Sequence, residues 1–77
     1  MTSVAFRNSL EEIFGAPRGS LKDSDTRETV EGWTSLADVQ VLSVISSEFG
    51  IEPDADILEA ESTGDLIRVL QEKGAFR

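Results

Sequence analysis

Seventy-seven residues with a formal net charge of −8 describe one small acidic domain, and a chain near this length hides only about 60% of its unfolded surface, too little for a deep catalytic cleft. There is no cysteine and no histidine, which removes disulfides, thiolate metal sites and the commonest general base. Fifteen acids against seven bases argue against nucleic acid, which needs a basic footprint, and favour encounter with basic protein surfaces.

The start, Met1-Thr2-Ser3-Val4, lacks the basic-then-apolar layout of a signal peptide. No apolar run approaches the ~20 residues of a membrane span. The expectation is a cytoplasmic monomer that makes no membrane contact. Phe6, Leu10, Ile13 and Phe14 recur at helical spacing, with Arg7, Asn8, Glu11 and Glu12 assigned to the opposite, polar side. Thr2 or Ser3 can cap this first helix, and Gly15 followed by Ala16-Pro17 stops it. Residues 15–34 carry no period and read as a long loop, with Leu21, Val30 and Trp33 as anchors and room for a short helical turn around 24–29.

Residues 35–49 form the strongest predicted helix. Val41, Leu42, Val44, Ile45 and Phe49 give it a broad apolar face. Its β-branched residues are mediocre helix formers, so packing must hold it. Ser35 with Asp38 resembles a capping box, although Thr34 can take the cap and leave Ser35 more exposed. Gly50 sits where a left-handed terminating residue is wanted. Asp54 can cap a short helix through Ile57, Leu58 and Ala60. Ser62 with Asp65 opens a last helix bearing Leu66, Ile67, Val69 and Leu70, and Gly74 ends it. Phe76 either frays with the tail or packs.

The expected fold is therefore an all-α four-helix bundle over residues 1–77, with three main helices, one short helix and a long first loop. Phe6, Leu10, Ile13, Val41, Ile45, Phe49, Ile67 and Leu70 are the expected core. Phe49→Ala is expected to cost about 3–5 kcal/mol as a large-to-small core change.

Ser35-Leu36 at the mouth of the long helix is followed by Phe49-Gly50-Ile51, Pro53-Asp54-Ala55-Asp56 and Ser62-Thr63-Gly64-Asp65. In that order and spacing, over nearly the whole chain, these pieces resemble the acyl carrier protein family. The resemblance implies that Ser35 is the attachment point of a 4′-phosphopantetheine arm, transferred from coenzyme A by a phosphopantetheinyl transferase. It further implies that the arm's thiol carries an acyl group as a thioester. An acyl-loading enzyme and a downstream synthase or acyltransferase would be the other partners. They would belong to fatty-acid, polyketide or other specialised biosynthesis, and the chain itself would hold no catalytic residue and no metal. A helix N-terminus favours the phosphodiester anion, and the arm brings the thiol that the chain lacks.

Several positions depart from the family pattern. Thr34 stands where Asp is usual, one residue is missing between Ile51 and Pro53, and the long helix keeps only Asp38 and Glu48 as acids. The acids lie instead after Gly50, at Glu52, Asp54, Asp56, Glu59 and Glu61. Partner docking is assigned to Thr34, Leu36, Asp38, Val39, Glu48, Asp54 and Asp56, led either by apolar contact at Leu36 and Val39 or by the acids after Gly50. Trp33 resembles the tryptophan found before the serine in discrete carriers of specialised pathways, and it also suits a loop anchor. The β-branched face of the long helix suggests a tight interior and short or polar cargo. The alternative function is an unmodified acidic interaction module of carrier-like fold.

Overall fold

Residues 1–76 are described by the computed structural model. Four helices follow one another: α1 (Ser3–Phe14), α2 (Ser35–Phe49), α3 (Ala55–Leu58) and α4 (Thr63–Glu72). Each begins on an oxygen-bearing side chain that accepts an otherwise orphaned backbone N–H. Thr2 accepts from Ala5 at 3.1 Å, Thr34 from Ala37 at 3.3 Å, Asp54 from Ile57 at 3.2 Å and Ser62 from Asp65 at 3.1 Å. Gly15 and Gly50 end α1 and α2 in the left-handed region, at φ 69° and 65°. These are conformations that a side chain disfavours.

The core draws on every helix. Phe6 and Leu10 of α1, Ile45 of α2 and Leu70 of α4 are fully buried, with Val41, Ile57 and Leu66 close behind. Ile13, Phe49 and Ile67, expected in the core, are instead half-buried against it. Their places are filled by Phe14, Leu21, Trp33, Ala37 and Ala60, because the first loop folds over one end of the bundle and supplies two of its own side chains. Trp33 stacks on Phe14 with ring centroids 4.7 Å apart. At another place in the core Phe49 and Phe76 meet each other and Phe6, at 5.5–5.7 Å. Phe76 thus packs.

Around 24–29 the loop makes a single turn that is not continued into a helix, the Thr29 and Val30 amides donating to the Thr26 carbonyl at 3.1 and 2.9 Å, and one antiparallel bridge, Thr26 to Ser62. The reason lies in α4. The first N–H groups of that helix need acceptors, and the loop supplies them: Thr63 donates to the Asp25 carbonyl and Gly64 to that of Asp23, both at 2.9 Å. A loop coiled into its own helix would have spent those carbonyls.

Glu11 is the other departure. Expected on the polar side of α1, it is only 3% exposed. The loop wraps over it, and the Leu21 amide donates to its carboxylate at 3.1 Å. Amides of Gly19 and Leu21 hold its carboxyl below the usual range against the opposing effect of burial, with Arg18 and Ser20 adding to the same direction. The Leu21 bond falls on Oε2, and Oε1 is buried with no hydrogen-bond partner among the described residues; backbone N–H groups turned toward a carboxylate favour its charged form.

Candidate functional site

Ser35 is the first residue inside α2, and it is exposed. The cap belongs to Thr34, whose hydroxyl accepts from the Ala37 amide. Ser35 therefore stands one position beyond the cap, relieved of the bond that would have tied its oxygen to the backbone. Its hydroxyl lies among the unpaired N–H groups and partial positive charge of a helix start.

Asp38 does not close a capping box with Ser35. Its carboxylate accepts from the Trp33 indole N–H at 2.7 Å and from Arg27 Nε and Nη2 at 3.1 and 3.0 Å. The Arg27 guanidinium also lies 4.9 Å from the Trp33 ring centroid, a cation–π distance. Its Nη1 donates to the Ala60 carbonyl at 3.4 Å. The one acid in the first turn of α2 is thus held within the protein, tying that turn to the loop and to the segment after α3.

The residues assigned to docking separate into groups. Thr34, Leu36 and Val39 stand exposed beside Ser35, with Leu36 68% and Val39 62% accessible. Leu58 of α3, 58% exposed, is a further apolar group that sequence reasoning placed only within a short helix. Glu48 is exposed but lies thirteen residues along α2 from Ser35, about 20 Å at helical rise. Asp54 caps α3 and pairs with Lys73, and Asp56 lies 4.0 Å from the same ammonium. Lys73 and the Ile57 amide hold the Asp54 carboxyl below its ordinary value, and Asp54 raises Lys73 in return. These two acids clamp α3 to the end of α4.

Behind the first turns of α2 is a cavity of about 120 Å³, lined by Val41, Leu42, Ile57, Leu58 and Leu66 together with the Arg27, Trp33 and Asp38 cluster. Sequence reasoning expected a tight interior here and missed Arg27, which nothing in the sequence sets apart from Arg18 and Lys22 in the same loop. Among the described residues no group of three or more acidic side chains gathers as a metal site would require. No helix among them is long and apolar enough to cross a membrane. Comparison with protein-family models, with curated proteins and with solved structures found no match to this chain.

Proposed function

We propose that this chain is a discrete acyl carrier, bearing a 4′-phosphopantetheine arm on Ser35 and passing a thioester-bound acyl group between partner enzymes. The observation that carries the reading is the division of labour at the start of α2. Thr34 caps the helix, so the next hydroxyl is exposed and unencumbered where a phosphodiester is electrostatically favoured. The chain supplies position and field; the arm supplies the thiol chemistry.

Leu36 and Val39 offer partners an apolar surface next to that hydroxyl, and Leu58 of α3 is a further exposed apolar group. Since Asp38 is engaged by Arg27 and Trp33, docking beside Ser35 rests on those apolar groups more than on charge. A phosphopantetheinyl transferase, an acyl-loading enzyme and a downstream synthase or acyltransferase are the partners this reading requires. The sparse acids of α2, with Trp33 ahead of the serine, favour a dedicated pathway over general fatty-acid synthesis.

The test is intact mass after incubation with coenzyme A and a broad-specificity transferase. The expected result is a gain of one phosphopantetheine on the wild-type chain and none on Ser35→Ala. No gain with an active transferase points to Thr34 as an obstacle or to a docking module that is never modified. Thr34→Asp separates these, because restored modification keeps the carrier reading and continued failure removes it.

A further inference from the structure

The cavity behind α2 has an apolar floor and a mouth. Val41, Ile57 and Leu66 are each 4% exposed, whereas Leu58, in the same lining, is 58% exposed and the side chains of Arg27 and Asp38 are 42% and 34% exposed. The mouth therefore lies among Leu58, Arg27 and Asp38. Arg27 also lines a second recess, with Thr26, Glu28 and Glu61. It is the one residue that the two linings share, so it forms the wall between them. The antiparallel bridge from Thr26 to Ser62 joins the loop to the segment ahead of α4, and so brings Glu28 and Glu61 to one place.

The two recesses differ in electrostatics. Glu28 and Glu61 are both exposed, and among the described residues neither forms an ion pair. Arg27, the cation in their own recess, gives its charge to Asp38 through Nε and Nη2, at 3.1 and 3.0 Å. The Trp33 N–H completes that cluster. The second recess is thus left with uncompensated negative charge, beside an apolar cavity whose polar rim is bonded to itself.

Size and shape select the occupant. The cavity holds about 120 Å³, below the ~150 Å³ in which an apolar cavity takes up benzene, so a branched aliphatic side chain suits it better than an aromatic ring. The acid-lined recess calls for a cation. An occupant of both must fork around Arg27. Successive side chains of an extended peptide diverge in this way, and a straight-chain amphiphile does not.

We propose that this face, where the first loop meets α3, grips a partner protein by a leucine side chain seated in the cavity and an adjacent lysine or arginine held by Glu28 and Glu61. The grip involves no group carried on Ser35, so it stands apart from the carrier reading.

The test uses the unmodified, ¹⁵N-labelled chain in low salt, where exposed charges are least screened. The probes are acetyl-Leu-Arg-amide, acetyl-Ala-Arg-amide, acetyl-Leu-Glu-amide and hexylammonium. Acetyl-Leu-Arg-amide is expected to shift the amides of Val41, Ile57 and Leu66 together with those of Glu28 and Glu61. Acetyl-Ala-Arg-amide should bind about tenfold more weakly, as loss of a buried aliphatic group requires, and leave the cavity amides in place. Acetyl-Leu-Glu-amide and hexylammonium should also bind more weakly than acetyl-Leu-Arg-amide. A double variant, Glu28→Gln with Glu61→Gln, changes only exposed, unpaired side chains. It should lose about fivefold in affinity for acetyl-Leu-Arg-amide, as two exposed ion pairs allow. No response to acetyl-Leu-Arg-amide, an equal response to acetyl-Ala-Arg-amide or acetyl-Leu-Glu-amide, or unchanged affinity in the double variant overturns the proposal. Hexylammonium binding as tightly as the peptide overturns it too, since the site would then serve a small amphiphilic cation rather than a protein. The mass gain on Ser35, measured separately, judges the carrier reading whatever these titrations return.

Discussion

At the scale of single residues, neighbouring hydroxyls in α2 have opposite duties, and stability measurements separate them. Thr34 accepts the Ala37 amide, so Thr34→Ala is expected to cost about 1 kcal/mol, as lost caps do. Ser35 is exposed and holds no cap, so Ser35→Ala should stay within about 0.5 kcal/mol of wild type. Urea melts giving the reverse order would assign the cap to Ser35 and weaken the case for a free hydroxyl. Glu11 makes a different residue-scale claim. Its carboxyl is held below the ordinary 4.5 by the amides of Gly19 and Leu21. A folded value depressed below the unfolded one contributes stability above the unfolded value and loses it as pH falls through the folded one. Glu11→Gln is therefore expected to melt below wild type at neutral pH, with the two curves converging as pH drops beneath 4.5. Parallel curves across that range would mean that the carboxylate's charge does nothing for the loop. Asp25 and Asp54, also depressed, remain in both proteins and cancel in the comparison.

At the scale of elements, the first loop behaves as a fifth structural piece. It is fixed by backbone bonds to the start of α4 and by close passage over the end of α1. A Cβ on Gly32 would lie 1.8 Å from the Phe14 carbonyl oxygen, a contact that backbone cannot absorb by rotating a side chain. Gly32→Ala is expected to cost about 3 kcal/mol, at the upper end of overpacking, read as a lowered urea midpoint with unchanged slope. A cost under about 0.5 kcal/mol, the ordinary surface range, would show that the loop does not pass there. The helices were legible in the sequence because their signals are local: Gly15 and Gly50 end α1 and α2, and Thr2, Asp54 and Ser62 open three helices where capping residues are expected. The loop was not legible, because its order comes from partners far along the chain. Asp23 and Asp25 meet α4 through carbonyls that every residue carries, so no side-chain pattern announces the contact. Glu11 was misplaced for the same reason, since helical periodicity assigns it to the polar face and only the loop arriving over it makes that face interior. In the candidate site, the order of motifs led to Ser35, whereas the Arg27–Trp33–Asp38 cluster joins a loop cation to a helix acid eleven positions away.

At the scale of the whole molecule, the question is how so short a chain closes its core. Its Cα radius of gyration is 11.2 Å, against about 11.5 Å expected of a folded chain of this length, so the described tail lies against the bundle. Stability on the order of 4–12 kcal/mol is normal for this size, and a single aromatic contact is a sizeable part of it. Phe76 brings the C-terminal end onto Phe6 of α1 and Phe49 of α2, while the Ala75 amide donates to the Leu70 carbonyl at 3.0 Å beside Gly74 at φ 76°. That turn reverses the chain after α4 and aims the ring back at the core. Phe49 is half-buried, so Phe49→Ala is expected to cost about 3 kcal/mol, the low end of the range for phenylalanine truncation. Phe76→Ala should cost somewhat less. The informative quantity is their coupling. Edge-to-face rings contribute about 0.5–1.5 kcal/mol beyond burial, and the Phe49–Phe76 pair is oriented at 89° with centroids 5.5 Å apart. A double-mutant cycle by urea denaturation should return about 1 kcal/mol of interaction, with the double variant less destabilised than the sum of the singles. Strict additivity would mean that the tail spends its time in solvent, and that α1, α2 and α4 close the core without it.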